Sequence, residues 1–391
     1  MRVIHRKIQK FLKDDAKTFR AVTILGPRQS GKTTLAKTTF PNYKYVSLED
    51  LDSRTLANSD PRTFLKRYSS PVIIDEIQRV PDLLSYIQTE IDANPDKKGQ
   101  FILTGSHQPL LRESIAQSLA GRTSLLQLFP MSFRELENEV EHYSVDEASD
   151  WIYRGFMPEI YSSKISPTRL YQAYTQTYVE KDVRQLIQIK DQTTFEKFLK
   201  LIAGRIGQIV NYESLANDVG VSSKTIKEWI SILEASFIIY RLPPYFKNIG
   251  KRIIKAPKIY FVDVGLATYL LGIETSNQVS RDPLYGQLFE NLVVSELFKS
   301  RLNRAKDPNL FFYRDSHKKE VDILFERQRE LIPAEIKSSA TYNPELIQSI
   351  RFMQESIKAQ TGHGYLIYSG ESGLLTENIS GLNFKDADKI L

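Results

Sequence analysis

The feature that most constrains this chain is a short apolar run, Ala21–Leu25, leading straight into Gly26-Pro27-Arg28-Gln29-Ser30-Gly31-Lys32-Thr33. Thr34 comes next, with a helical sequence, Leu35–Thr39, behind it. Strand, G-x-x-x-x-G-K-[ST] and helix in that order form a phosphate-binding loop. Glycines let successive backbone N–H groups turn inward around phosphate oxygens, at the positive end of the following helix. Lys32 then reaches the β- and γ-phosphates, and the Thr33 hydroxyl ligates Mg²⁺. Gly26 to Thr34 are therefore the candidate contacts for ATP with Mg²⁺. The bland reading, a glycine-rich turn that happens to hold a lysine, needs a coincidence at every fixed position and in both flanking elements.

Four more apolar runs resemble the first: Lys44–Leu48, Pro71–Asp75, Phe101–Thr104 and Ser124–Leu128. Helical patterns such as Leu83–Ile91 separate them. Buried strands alternating with helices predict a parallel, three-layer α/β sheet. The run Val72-Ile73-Ile74 ends in Asp75-Glu76. Such strand ends are common, but behind a phosphate loop they carry meaning. Asp75 would hold Mg²⁺ through water, and Glu76 would polarise the water attacking the γ-phosphate. Ser106 or Thr104, at the end of a neighbouring strand, would sense that phosphate. Arg122 is the candidate arginine finger, in cis or from a neighbouring copy in a homo-oligomer.

At 391 residues the chain is too long for one core. A hydrophobic share of 41% with 26% charged residues excludes a wholly disordered chain. The absence of cysteine excludes disulfides, thiolate metal sites and cysteine nucleophiles. No apolar run approaches the roughly 18–20 residues of a membrane span. The basic N-terminus has no apolar stretch behind it to make a signal peptide. A cytoplasmic protein without a membrane partner is expected. His5, His107, His142, His317 and His363 show no ligand spacing.

Residues 195–258 hold 11 Lys and Arg against 5 Asp and Glu, which concentrates the positive charge there. Within them, Asn211–Leu233 reads as helix–turn–helix. Ile226, Trp229, Ile230 and Leu233 make the stripe of an amphipathic helix, Gly220 stands at the turn, and Ser222 is an N-cap. Phe237–Leu242 follows as a strand, which suggests a winged helix. Ser223, Lys224, Thr225 and Lys227, with the loop residues Lys247, Lys251, Arg252, Lys255 and Lys258, could meet DNA. An interdomain or protein-binding spacer has the same pattern.

Near the C-terminus, Asp322 opens a strand, Val321–Phe325. A charged turn leads to Leu331–Lys337, whose period of two puts Glu335 and Lys337 on one face. Asp, hairpin and Glu-x-Lys resemble the PD-(D/E)XK nuclease core, with Glu290 matching the carboxylate of its first helix. There Asp322, Glu335 and the Ile336 carbonyl would bind a second Mg²⁺ or Mn²⁺, and Lys337 would position or activate water. An ordinary charged hairpin would more simply pair Asp322 with Lys337.

Taken together, Asp75-Glu-Ile-Gln-Arg-Val-Pro-Asp82, Leu103-Thr-Gly-Ser106, Ser118-Leu-Ala-Gly-Arg122 and Phe129-Pro-Met-Ser-Phe-Arg-Glu135 resemble the prokaryotic AAA-like ATPase family. In that family a domain of formally unknown function follows the ATPase. Tyr178-Val-Glu-Lys-Asp182-Val-Arg184 resembles its opening. The resemblance implies an α/β, AAA+-like P-loop core over 1–145 and a helical lid over 146–194. A winged helix over 195–257 and a restriction-endonuclease-like α/β domain over 258–391 would follow. The chain departs from the pattern in lacking a clear second sensor arginine after Arg134, with Arg154 and Arg184 as candidates. An ATPase acting on or near DNA is expected. The alternative is a nucleotide-controlled switch whose C-terminal half binds a protein partner.

Overall fold

The computed structural model describes residues 3–106, 109–137, 147–163, 165–183, 191–245, 256–315, 317–356 and 361–391. His107, His142, Arg184, Lys247, Lys251, Arg252 and Lys255 lie outside them. Five strands form the first sheet: β1 (Ala21–Gly26), β2 (Lys44–Ser47), β3 (Val72–Asp75), β4 (Phe101–Ser106) and β5 (Thr123–Gln127). All pairs are parallel, in the order β2-β3-β4-β1-β5. β1, β3 and β4 are buried at every residue, as continuous apolar runs require. One layer around Phe64, Leu83, Ile87 and Ile91 covers one face. Ile8, Leu12, Leu35 and Ala36 cover the other, giving three layers. Because the strands share a direction, Gly26, Asp75 and Ser106 end at one edge of the sheet, where ligands of open α/β sheets bind.

The middle of the chain is helical. Helices Gln192–Ala203, Tyr212–Val219 and Ser223–Ala235 bury Phe195, Phe198, Leu215 and the whole stripe Ile226, Trp229, Ile230 and Leu233. The Asn211 side chain caps the second helix at Ser214 N, and Ser222 Oγ caps the third at Thr225 N. Strand β6 (Ile239–Leu242) then pairs antiparallel with β7 (Lys258–Phe261), and Ile209 bridges to Lys258. The boundary expected at 257/258 therefore cuts through a β-ladder. The apolar Ile259, Tyr260 and Phe261 are needed on that ladder, so they belong with the preceding helices.

The last sheet contains β8 (Leu310–Arg314), β9 (Glu320–Arg327), β10 (Glu330–Lys337), β11 (Gly364–Tyr368), β12 (Gly373–Thr376) and β13 (Ile379–Asn383). Its order is β12-β13-β11-β10-β9-β8. β8, β9 and β10 are antiparallel, β10, β11 and β13 are parallel, and β12 returns antiparallel on the edge. Helix Tyr285–Leu302 lies against it.

One apolar core runs from Ile4 through Phe133, Trp151, Phe195, Trp229, Tyr260 and Phe289 to Ile390. The helices of the middle of the chain and the last sheet thus share a single interior. Charged contacts tighten the join. Arg134 pairs with Asp386 at 2.9 Å and Asp388 at 3.0 Å. Glu296 accepts from Phe133 N at 3.1 Å, and Lys299 Nζ donates to Met131 O at 2.8 Å. Among the described residues no helix is long and apolar enough to cross a membrane.

Candidate functional site

The loop after β1 is shaped by close approach. A Cβ on Gly26 would stand 2.0 Å from Leu128 O, so only glycine fits. Gln29 (φ 60°) and Gly31 (φ 91°) both take left-handed conformations, which wind the loop into the helix Lys32–Thr39. The Lys32 ammonium donates to Gly26 O at 3.1 Å and Pro27 O at 2.7 Å, so the loop itself satisfies it. Burial lowers its pKa to about 8, against the opposing pull of Glu76 and Asp75.

Asp75 is the hub of the site. Thr33 Oγ1 donates to its two oxygens at 3.0 and 2.9 Å, Tyr45 OH donates at 3.0 Å, and Thr104 Oγ1 donates to Oδ1. Burial first, then Asp75, pushes the Tyr45 phenol up to about 12, so it remains a donor. Glu76 sits in the left-handed region (φ 58°), an uncommon conformation for a non-glycine residue, and its carboxylate accepts from the Gln78 amide. The Ser106 hydroxyl is buried without a hydrogen-bond partner among the described residues, at a register position beside Gly26. Of the two sensor candidates, Thr104 touches Asp75 and Ser106 does not.

A cavity of about 660 Å³ opens over the loop. Arg28, Gln29, Gly31, Lys32, Thr33, Thr34 and Glu76 line it, facing Val3–Arg6 of the N-terminal segment and Tyr174 and Tyr178 of the helical middle. These partners had no signal in the sequence. Arg6, 5% exposed, also escaped the motif reading. It donates to Glu135 Oε1 at 3.0 Å, Ser30 O at 2.7 Å and Phe129 O at 2.6 Å, tying the phosphate loop to the segment after β5. Arg28 stands over the Tyr178 ring, 5.5 Å from its centroid.

A cis role for Arg122 is overturned. It precedes β5 at the end that pairs with Ala21, opposite the edge where Gly26 lies. A strand's length separates it from its own loop, about 20 Å at about 3.3 Å per residue. There it forms a two-point pair with Asp92 at 2.7 and 2.8 Å. Arg134 is held by the C-terminal aspartates, and Arg154 does not line the cavity.

The terminal carboxylates do come together. Lys337 Nζ lies 2.9 Å from Asp322 Oδ2 and 2.6 Å from Glu335 Oε2, and Ile336 N donates to Asp322 Oδ2 at 2.9 Å. This is the internal Asp322–Lys337 pairing of a charged hairpin. The unforeseen member is Lys258. Expected on a basic DNA-facing loop, it is 3% exposed and points inward, 3.1 Å from Glu290 and 2.6 Å from Glu320. Its place in the strand explains the error: β7 is buried at every residue, so the side chain of its first residue has no solvent face to turn to. Burial works to raise Asp322, but Lys337 and Lys258 hold it down to about 2. Burial, then Asp322, raises Glu335 well above the ordinary carboxylate range. Burial also raises Glu290, with Lys258 opposing it. Among the described residues no group of three or more His, Asp or Glu side chains is arranged to hold a metal ion.

Comparison with known proteins agrees with the first sheet. Residues 18–137 match a family described as an AAA domain. Residues 145–277 and 285–384 match two families described as domains of unknown function, DUF8612 and DUF4143. An uncharacterized protein of Mycobacterium tuberculosis is 29% identical over 356 residues, covering 90% of this chain and 76% of its own. Another, from Methanocaldococcus jannaschii, is 26% identical over 349 residues, covering 76% and 71%. A Walker-type ATPase of Pyrococcus abyssi superposes with a TM-score of 0.45 at 15% identity, over 68% of this chain and 96% of that one.

Proposed function

We propose that the chain is a Mg²⁺-dependent ATPase whose hydrolytic cycle is coupled to DNA. The observation that carries the reading is the convergence of Lys32, Thr33, Asp75 and Glu76 at one edge of a parallel sheet beside a 660 Å³ cavity. The Thr33 hydroxyl and the Asp75 carboxylate touch each other and offer the oxygen-only environment Mg²⁺ prefers. When bound, Mg²⁺ would be held by Thr33 and Asp75 and would supply positive charge against the charge developing on the phosphates. Lys32 exchanges its two carbonyl partners for phosphate oxygens. Glu76, oriented by Gln78, accepts the proton of the attacking water, and Thr104 of the neighbouring strand β4 holds Asp75 by its hydroxyl. Arg122, a strand's length away from its own loop, acts only across an interface of a homo-oligomer.

For DNA, the support is the exposed start of the helix Ser223–Ala235, where Lys224 and Lys227 face solvent. Lys258 is withdrawn from that surface. A second reading, a nucleotide-controlled switch that binds a protein partner through its C-terminal half, is favoured by a different observation. The segment Phe129–Glu135 touches the phosphate loop through Arg6 and the terminal helix through Glu296 and Lys299. Steady-state ATP hydrolysis with and without single- and double-stranded DNA separates the two. Stimulation by DNA that disappears when Lys224 and Lys227 are replaced by alanine supports the first. Hydrolysis indifferent to DNA leaves the switch. No hydrolysis by the parent under any of these conditions removes the enzyme reading itself.

A further inference from the structure

Three carboxylates converge on one point at the junction of the winged hairpin and the terminal sheet. Glu290 comes from the helix Tyr285–Leu302, and Glu320 and Asp322 come from β9. Their nearest oxygens lie 3.1, 2.6 and 3.9 Å from the same atom, Lys258 Nζ. Tyr260 OH adds a 2.5 Å hydrogen bond to Glu290 from the same strand as the lysine. Three buried or half-buried carboxylates repel one another unless a cation lies among them. Here an ammonium occupies that place.

The neighbouring carboxylate is left incomplete. Glu335 is 2% exposed, its Oε2 is taken by Lys337, and its Oε1 has no hydrogen-bond partner among the described residues. Burial and the Asp322 charge favour the protonated form of Glu335, so the two ammonium groups, Lys337 and Lys258, supply the positive charge of the centre. As it stands, the centre does not fit a divalent ion, because Lys258 is inside it.

We propose that the Lys258 side chain is the resident cation of the Glu290–Glu320–Asp322 centre, excluding Mg²⁺ and Mn²⁺ and locking the winged hairpin to the terminal sheet. The backbone supports the locking role. Tyr245 N donates to Phe312 O at 2.7 Å and Phe312 N to Pro243 O at 3.0 Å, so the chain leaving β6 runs along the outer edge of β8. The same hairpin therefore borders the sheet by its backbone and enters it by one charged side chain. Helix, hairpin and sheet meet at a single ammonium.

The test is Mn²⁺ binding to the full-length protein without nucleotide, followed by the electron paramagnetic resonance of free Mn²⁺ and by thermal melting. The parent should bind no Mn²⁺ through Asp322 at millimolar concentration. Lys258→Met should melt earlier in chelator, gain a Mn²⁺ site about tenfold or more tighter than any in the parent, and lose it when Asp322→Asn is added. Lys258→Arg should behave as the parent. Mn²⁺ binding by the parent that Asp322→Asn removes overturns the proposal, and this arm needs no lysine variant to fold. A folded Lys258→Met protein that gains no Mn²⁺ site overturns it equally.

Discussion

Two buried lysines, Lys32 and Lys258, stand beside carboxylates and have opposite electrostatics. Lys32 faces a cavity, and its nearest acceptors are the neutral carbonyls of Gly26 and Pro27. Desolvation wins, and its pKa falls to about 8. Lys258 is equally buried, but Glu290, Asp322 and Glu320 surround it and hold its pKa above that of an ordinary lysine despite burial. Neutral carbonyls leave the Lys32 charge without a counter-ion at the cavity, whereas Lys258 already has its counter-ions.

The contrast breaks first on stability. Lys258→Met should cost about 3–5 kcal/mol in chemical denaturation, the usual penalty for leaving buried carboxylates without their partner. Without nucleotide, Lys32→Met should cost nothing and leave the fold intact; equal destabilisation of both variants would erase the distinction. Next in size is chemistry. Glu76→Gln should keep ATP binding and lower turnover about 10²–10³-fold, within the range of a positioned general base. Hydrolysis at the parent rate would remove the assigned role.

Lys32→Ala should then weaken ATP binding about 10–100-fold in calorimetry, the span of about 1.5–3 kcal/mol for hydrogen bonds to charged groups. The smallest effect sharpens the comparison by pH. The folded-state pKa of Lys32 lies below its unfolded value, so its contribution to folding is present above about 10.5 and is lost as pH falls through about 8. Phosphate binding needs the ammonium, so between pH 7 and pH 9 ATP affinity should fall about tenfold with uptake of a proton. The uptake is read from calorimetry in buffers of different ionisation enthalpy. An affinity independent of pH over that span would mean that Lys32 is not buried as described.

The strands and the phosphate loop were legible because they rest on local signals: continuous apolar runs, fixed glycine spacing and a lysine at one position. The stripe Ile226–Leu233 was legible by its period. Lys258 was not. Six positive residues in a short stretch look alike in sequence, and only the pairing of β7 with β6 turns one of them inward. Arg6 was hidden for a related reason. Its three acceptors, Ser30, Phe129 and Glu135, lie 24 to 129 residues from it along the chain and meet it only after the sheet has formed. Arg122 shows the opposite hazard: it lies near a strand, but at the wrong end of it, and sequence proximity carries no direction.

The continuous core from Ile4 to Ile390 has a consequence for how such chains can be recombined. A cut at 257/258 would sever the β6–β7 ladder, and one between 137 and 147 would part Arg134 from Asp386 and Asp388. Exchanging the C-terminal half with that of a relative at 29% identity would set foreign side chains against Phe133, Trp151 and Trp229. Viable chimaeras should therefore carry the segment 129–135 with the C-terminal half, placing the crossover inside the nucleotide domain at β5 rather than at the apparent seam between domains.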